Sequence, residues 1–437
     1  MSHHGSTFRS LFVTVLAGLA SVAQGQTLPE VVRYSLQNYP QVQASLAKAL
    51  AADADIDKAS SAHMPQLSLT ASSNYYGSGK TPASTGRTSL APTAKINLWS
   101  GGRIEADTDR ARALSRAAHL TSQVTLDDVA LLACEAYLNW AKTADLYQLA
   151  VKNMQLHADV LEDIRIIAQT DTGRRIDLDQ ASVRLDNARL TLQQRKSELA
   201  QAMQKMQRFW PEGLDARPVG LEVTMGQEGY FSALPASAAE AAESVSDTLP
   251  AIAQYVEQVQ AAQAALRMAK GLYWPTLDLV TSRQYNTETA KQDFLTQLQL
   301  NMPLYSGGSA TAQVKAAEQQ LKATQLSLDE ARLIQREKAV LAWQDWAATR
   351  VRADVGGAQS DVGEKVVEGY RQQFKLAKRS LLDLLNIQAD SFGYRSAALS
   401  AFHDERIARA RLLASTGQLA ARFTPQAALP PTENTPS

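Results

Sequence analysis

Hydrophobic and polar positions follow two different periods along this chain. Short segments alternate apolar and polar residues, which is typical of strands with one polar face. In one of them Leu67 and Leu69 alternate with Ser68 and Thr70. Long segments instead repeat apolar residues every three or four positions, as Leu126, Val129, Ala133, Ala136 and Trp140 do, which predicts helices. The pattern therefore predicts short hairpins set between very long helices.

The same order of elements occurs twice. The prolines that end a helix and begin a strand, Pro65 and Pro275, are 275 − 65 = 210 residues apart. The leucines that close the hairpins, Leu98 and Leu304, are 304 − 98 = 206 apart. Glycine pairs follow each hairpin and allow a sharp turn into the next helix. The predicted strand–helix turn residues are Pro65, Gly101, Gly102, Pro275, Gly307 and Gly308.

This repetition favours one duplicated unit over two or three separate domains. An apolar stretch after Arg9, followed by small residues, predicts a cleaved signal peptide. The predicted segments are a signal peptide (1–25), a first repeat (26–210, hairpin about 66–98, tip near 169–179), an irregular linker (211–240), a second repeat (241–423, hairpin about 276–304, tip near 374–383) and a disordered proline-rich tail (424–437).

The helices and strands have informative lengths. The helical pattern from Arg103 to about Ala168 corresponds to roughly 100 Å, which suggests coiled-coil packing. Strands of about ten residues suffice to cross a bilayer when tilted, whereas no apolar run long enough for a transmembrane helix follows the signal. Four strands cannot close a barrel, which needs about eight, so their edges are expected to pair with other copies of the chain. This argument predicts a cyclic homo-oligomer and leaves its number open.

Composition excludes several functions. The 44 basic and 44 acidic residues cancel, so charge gives no reason to expect a nucleic-acid partner. The segment Gly77–Thr81 resembles the end of a phosphate-binding loop, but Asn74 stands where the motif requires glycine. The six histidines lack metal-ligand spacing, and Cys134 is the only cysteine. We therefore expect neither an enzyme nor a cofactor or metal site.

The proline-started strands, the LWSGG and LYSGG strand ends and the two helix tips together resemble the TolC family of outer-membrane channel-tunnels. The resemblance covers nearly the whole mature chain. It implies a mainly α fold with a small β part: a homotrimer with a helical coiled-coil tunnel in the periplasm and one shared transmembrane β-barrel in the outer-membrane lipid. It also implies a periplasmic adaptor (membrane fusion) protein and an inner-membrane transporter, of the ATP-binding cassette or proton-driven type.

The resemblance also implies roles for the helix tips. The residues expected to dock the adaptor are Gly173, Arg174, Ile176, Ala377, Lys378, Ser380 and Leu381. Ala377 replaces a usual glycine and Ile176 a usual small residue, so details of the docking contact differ from the family pattern.

A gate is implied at the same end. Arg379 falls at the family's gate arginine, and Asp179 and Phe374 fall at its expected partners. Asp383 falls at a ring of carboxylates that narrows the mouth and attracts cations, and Asn386 stands where a second acid is usual. The alternative from the residues alone is that these are solvated turn charges that cap helices.

The cargo is open. The segment Val129–Trp140 and the absence of a lipid-anchor cysteine slightly favour type I protein secretion over multidrug or metal efflux. Both would use a passive exit duct. A soluble periplasmic coiled-coil scaffold or adaptor is the alternative of another class.

Overall fold

The computed structural model describes residues 27–73, 88–170, 175–211, 234–286, 291–376 and 378–424. The predicted signal peptide, most of the linker and all of the tail beyond Thr424 lie outside these residues, as does the Gly77–Thr81 segment.

The first repeat begins with a helix that is divided in two. The helical segment before the strands is interrupted at Tyr39, because Pro40 starts a new helix rather than continuing the first. A short 3₁₀ turn, Ser61–His63, precedes the strands. The elements are α1 (Leu28–Asn38), α2 (Pro40–Ser60), β1 (Gln66–Ser73), β2 (Thr88–Trp99), α3 (Arg103–Thr170) and α4 (Arg175–Met206).

The second repeat has the same order. A short helix precedes it, and a second 3₁₀ turn, Gly271–Tyr273, again leads into the strands. Its elements are α5 (Ala238–Glu243), α6 (Pro250–Lys270), β3 (Thr276–Asn286), β4 (Lys291–Asn301), α7 (Ser309–Lys375), α8 (Leu381–Ser415) and α9 (Leu419–Phe423). The helices α2 and α6 are both 21 residues long and start 210 positions apart (250 − 40), so the duplication holds at the level of structure.

The four strands form one antiparallel sheet in the order β1-β2-β3-β4. Its register pairs apolar residues across strands, for example Leu279 with Ile96 on one side and with Leu298 on the other. One face is therefore apolar and the other polar. The register shifts between Asn97 and Trp99, so Trp99 rather than Leu98 pairs with Leu277. Simple alternation from Ile96 predicts Leu98 on the apolar face, and this prediction fails at the irregularity.

The long helices pack side by side in a fixed order. Helix α3 packs against α2, α4 and α6, while α7 packs against α6 and α8. The largest apolar core lies midway along α3, where Tyr137 and Trp140 are fully buried at a ring distance of 5.6 Å. Cys134 is buried in the same core, as a small apolar residue is.

The predicted fold class, mainly α with a small antiparallel β part, is confirmed. Within the ranges that the structure describes, every helix falls short of the length or apolar content needed to cross a membrane.

Candidate gate at the helix tips

The second repeat's tip is fixed by the start of helix α8. Ser380 Oγ accepts a hydrogen bond from the Asp383 backbone N–H at 3.1 Å, and the Ser380 N–H donates to Asp383 Oδ2 at 3.3 Å. This reciprocal arrangement is a capping box, which satisfies two otherwise free donors at the helix end. The Asp383 carboxylate, predicted to belong to a ring at the mouth, therefore also caps α8.

A small apolar cluster holds the two tips together. It joins Ile164 of α3 to Leu381 and Leu385 of α8, and Phe374 of α7 packs against it. Leu178 of α4 packs there as well. All four long helices thus meet in this cluster, and Phe374, predicted as a gate partner, is one of its side chains.

Arg379 contacts its own turn. Its Nε donates to Gln373 Oε1 at 3.1 Å, and its guanidinium lies 4.5 Å from the centre of the Tyr370 ring. Asp179 lies exposed on α4 and is not joined to Arg379 within the chain. The predicted Arg379–Asp179 link is therefore not an intrachain contact of this structure. Tyr370 went unnoticed in the sequence, although its four-residue spacing from Phe374 places both rings on one side of α7.

Asn386 makes a contact that the sequence did not suggest. Its Oδ1 accepts a hydrogen bond from Arg184 Nη2 at 2.9 Å, which ties α8 to α4 above the tip. Arg184 also acts on His157, a buried residue of α3. Burial first, and the Arg184 charge second, lower the pKa of His157. No sequence motif marks Arg184, because its role depends on which helix α4 faces.

The predicted docking residues differ in their exposure, and some lie outside the described residues. Gly173, Arg174 and Ala377 lie outside the described residues. Ile176, Lys378 and Ser380 are exposed. Leu381 is only 3% exposed, so it supports the tip from inside and does not offer a surface to a partner. Leu376, at the end of α7, is 66% exposed and is the apolar surface that the sequence analysis missed.

The strand–helix turns behave as glycine turns should. Gly101, Gly102, Gly307 and Gly308 all have positive φ angles, between 64° and 81°, which other residues rarely adopt. Pro65 and Pro275 directly precede the first residues of β1 and β3.

Ser115, His119 and Asp53 lie together but lack the arrangement of a hydrolytic triad. Both Ser115 Oγ and His119 Nε2 bond to the Asp53 carboxylate, so the serine has no contact with a base. No cluster of three potential metal ligands occurs in the part of the chain that the structure describes.

Comparison with known proteins gives a consistent result. Residues 31–210 match the family model "Outer membrane efflux protein". Over 417 residues the chain is 24% identical to the outer membrane efflux protein BepC of Brucella suis biovar 1 (strain 1330), covering 93% of this chain and 88% of BepC. The sequence match thus extends through both repeats.

Solved channel structures share the fold. The structure of CusC superposes with a TM-score of 0.76 at 16% identity, covering 90% of this chain and 92% of CusC. The open state of the MtrE outer membrane channel of Neisseria gonorrhoeae gives 0.74 at 17% identity, covering 90% of this chain and 89% of MtrE. The first repeat therefore matches the outer membrane efflux protein family, and the described chain has the fold of solved outer-membrane channels such as MtrE.

Proposed function

We propose that this protein is the passive exit duct of a tripartite export system. The observation that carries the proposal is a sheet with one apolar face and two free edges, continuous with helices about 100 Å long. The apolar face suits lipid and the polar face suits an aqueous lumen. The family and fold are those of channel proteins, so export energy would come from another protein.

Three copies complete the duct in this proposal. Channels of this family are trimers that work with adaptors and inner-membrane pumps. Twelve strands, four from each copy, would close a barrel that has room for a pore. The helices also expose apolar stripes in a seven-residue pattern: Ile176, Val183 and Leu190 on α4, and Val355 and Val362 on α7. Such stripes are suited to packing against neighbouring helices.

The tips are the proposed gate. Arg379 is held by Gln373 and Tyr370 at the surface, so in a ring of copies its free guanidinium nitrogens can reach Asp179 of a neighbour. The Asp383 residues of three copies would surround the axis and favour cations. The exposed Ile176, Leu376 and Lys378 would face the adaptor.

Single-channel recording tests the gate. Arg379→Ala should raise the conductance of the purified channel in a planar bilayer, because it removes a contact that holds the resting mouth closed. Lys378→Ala, which removes a neighbouring charge without that contact, is the matched control. Equal conductance for wild type and Arg379→Ala would contradict the gate.

We propose that the cargo consists of small solutes, so that the duct serves efflux. The segment Val129–Trp140 favoured protein secretion in the sequence, but most of its side chains are buried in the central core, including Tyr137, Leu138 and Trp140. Packing explains this segment, so it says nothing about cargo. The sequence-based match is with efflux proteins. Type I protein secretion remains the second candidate, since both uses share one duct.

Comparing a deletion strain with its parent decides between these cargoes. In a panel of antibiotics, dyes and metal salts, the deletion strain should be more sensitive than its parent to several agents, while its secreted proteins stay unchanged. Loss of one large secreted protein with unchanged susceptibility would instead establish type I secretion.

A further inference from the structure

One of the contacts between the two repeats, at the sheet and the helices next to it, has no equivalent on the far side of the described chain. Helix α6 packs against both α3 and α7, whereas its counterpart α2 packs against α3. Strand β2 pairs with β3, whereas β4 has β3 as its single neighbour among the described strands. We call the contact of α3 and β2 with α6 and β3 the internal seam. The surfaces that would repeat it, α7 with β4 and α2 with β1, are unpartnered.

We propose that neighbouring copies join these surfaces in the register of the internal seam, and that a single ion pair of exchanged polarity identifies the correct partner. The contact between copies is called the outer seam. This inference rests on the proposed ring of copies and adds which residues meet in it.

The strands give the register. Adding 206 to each β2 position and subtracting 210 from each β3 position converts internal pairs into pairs between copies. Three of the six converted pairs are apolar: Leu300 with Ala71, Met302 with Leu69 and Tyr305 with Leu67 of the next copy. These three pairs share the apolar face, and polar pairs such as Asn301 with Thr70 alternate with them. A slip of one residue would set Leu300 against Thr70 and mix the two faces, so the sequence independently supports this register.

The turns agree with the strands. A Cβ on Gly101 would lie 2.5 Å from the Trp274 Cβ, because the two turns of the internal seam touch there. Gly307, the counterpart of Gly101, has no atom within 4 Å of such a Cβ. The counterpart of Trp274 is Met64, which is 60% exposed. In the outer seam Met64 of the next copy covers Gly307.

The charges differ between the two seams. In the internal seam Asp109 of α3 accepts from Arg267 of α6 at 3.0 Å. The counterpart of Asp109 is Lys315, and the counterpart of Arg267 is Asp57. Both are exposed, and neither forms an ion pair across helices within the described chain, since Asp57 has only backbone contacts. The outer seam therefore retains a charged pair at this position with the signs exchanged.

Exchanged signs have a consequence for assembly. Two similar repeats on one chain could pair wrongly during assembly. If α3 met α2 of another copy, Asp109 would face Asp57; if α7 met α6 of another copy, Lys315 would face Arg267. Like charges at such distances oppose association, which is how related interfaces reject wrong partners. Once α3 and α6 have paired within each chain, only the pairing of α7 with α2 puts opposite charges together.

The internal seam is also the more polar of the two. Arg116 bonds Glu257 at 2.8 Å there, but the counterpart positions hold Lys322 and Ala47. The Lys95–Asp278 pair between β2 and β3, at 2.9 Å, is lost as well, because its counterparts are Asn301 and Ser68. Of these three ion pairs across the internal seam, only Asp109–Arg267 keeps a charged counterpart, Lys315–Asp57.

Cysteine cross-linking tests the register. The paired substitution A71C/L300C, oxidised in membranes, should give covalent dimers and trimers on heated gels, because β1 and β4 are opposite edges of one sheet and cannot react within a chain. A71C/L298C, two residues out of register on the same face, is the control and should react several-fold less. The native Cys134 is buried, so it contributes little background.

Charge reversal tests the ion pair. K315D and D57K alone should each lower the trimeric fraction on unheated gels by about fivefold, the upper end for an exposed pair. The double variant should restore it. K322D, which changes charge on the same helix face without a counterpart acid, should have a smaller effect.

The outcomes separate the two proposals. Trimers that cross-link equally at both registers, or double variants as weak as the singles, would overturn the seam and leave the exit duct intact. A wild-type protein that stays monomeric in the membrane would overturn both.

Discussion

The two repeats have nearly the same backbone but different surroundings, and their aromatic pairs show the difference. Tyr137 and Trp140 of α3 lie in a core closed by α1 and α9. Their counterparts 206 positions later, Trp343 and Trp346 of α7, are only partly buried. The indole N–H of Trp343 donates to Pro235 O and that of Trp346 donates to Glu405 Oε1, each at 3.0 Å. The same positions are thus fully buried in one repeat, and partly exposed and hydrogen-bonded in the other.

This difference shows how a duplicated sequence can diverge without losing its fold. The spacing that defines the helices is kept in both copies, because it sets which face is buried. The identity of the buried groups changes with what covers them. The chain's terminal helices α1 and α9 cover the first repeat, whereas the short α5 segment covers the second.

The largest expected effect comes from truncating Trp140, the tryptophan that is fully buried. Trp140→Ala should lower the free energy of unfolding by about 3–5 kcal/mol, because it opens a cavity in a fully buried core. Trp346→Ala should cost roughly half as much, since solvent already reaches part of that ring. Guanidinium titrations of both variants in detergent measure the comparison. Equal losses would mean that assembly buries Trp346 as fully as Trp140.

The sequence predicted the length of the first long helix closely. Helix α3 was expected from Arg103 to about Ala168 and ends at Thr170, because apolar periodicity reports directly on helix length. That Trp99 and not Leu98 pairs with Leu277 was not foreseeable, since an irregularity in strand register leaves no mark in a simple alternation. The docking role of Leu381 failed for a similar reason: a tip leucine looks the same in sequence whether it faces a partner or the chain's own helices.

The glycine turns offer a second contrast between the repeats. Gly101→Ala should destabilise the folded chain by about 2–4 kcal/mol, because the new Cβ meets Trp274 and the backbone has a φ of +68°. Gly307→Ala introduces comparable backbone strain but meets open space within the chain. It should therefore fold more readily than Gly101→Ala.

Two measurements separate the turn variants. Yield of folded protein in the membrane reports on the chain itself, and the temperature at which the oligomer dissociates reports on contacts between copies. Gly101→Ala should reduce the first, and Gly307→Ala mainly the second. Identical behaviour of both variants in both measurements would remove the distinction between the seams.

A third contrast concerns pH. Asp127 of α3 accepts a hydrogen bond from the Ala420 N–H at 2.8 Å, at the start of α9. Burial raises the pKa of Asp127 to about 6, well above its usual value. The counterpart in the second repeat is Leu333, an exposed residue with no charge.

The raised pKa fixes the sign of the pH dependence. The folded state holds the Asp127 proton more tightly than the unfolded state, so its stabilising contribution is complete below about pH 4 and is lost as the pH rises through 6. The loss is about 2–3 kcal/mol. Asp127→Asn keeps the acceptor and removes the charge, so it should flatten this part of the stability curve. Leu333→Asn is the matched control, and an unchanged slope in Asp127→Asn would contradict the assignment.

The smallest expected effect lies at the tips, where the repeats differ in how a helix begins. Ser380 caps α8 through the Asp383 N–H, whereas its counterpart 204 positions earlier, Ile176, has an exposed side chain without a capping oxygen. Ser380→Ala should therefore cost about 1 kcal/mol, the usual value for a lost N-cap. Ile176→Ala should change stability by less, because little of its side chain is buried. Hydrogen exchange at the first turns of α4 and α8 measures this locally: protection should fall at α8 in Ser380→Ala and stay constant at α4 in Ile176→Ala. If protection at α8 is unchanged, the Phe374 and Leu381 cluster, and not the cap, holds the second tip in place.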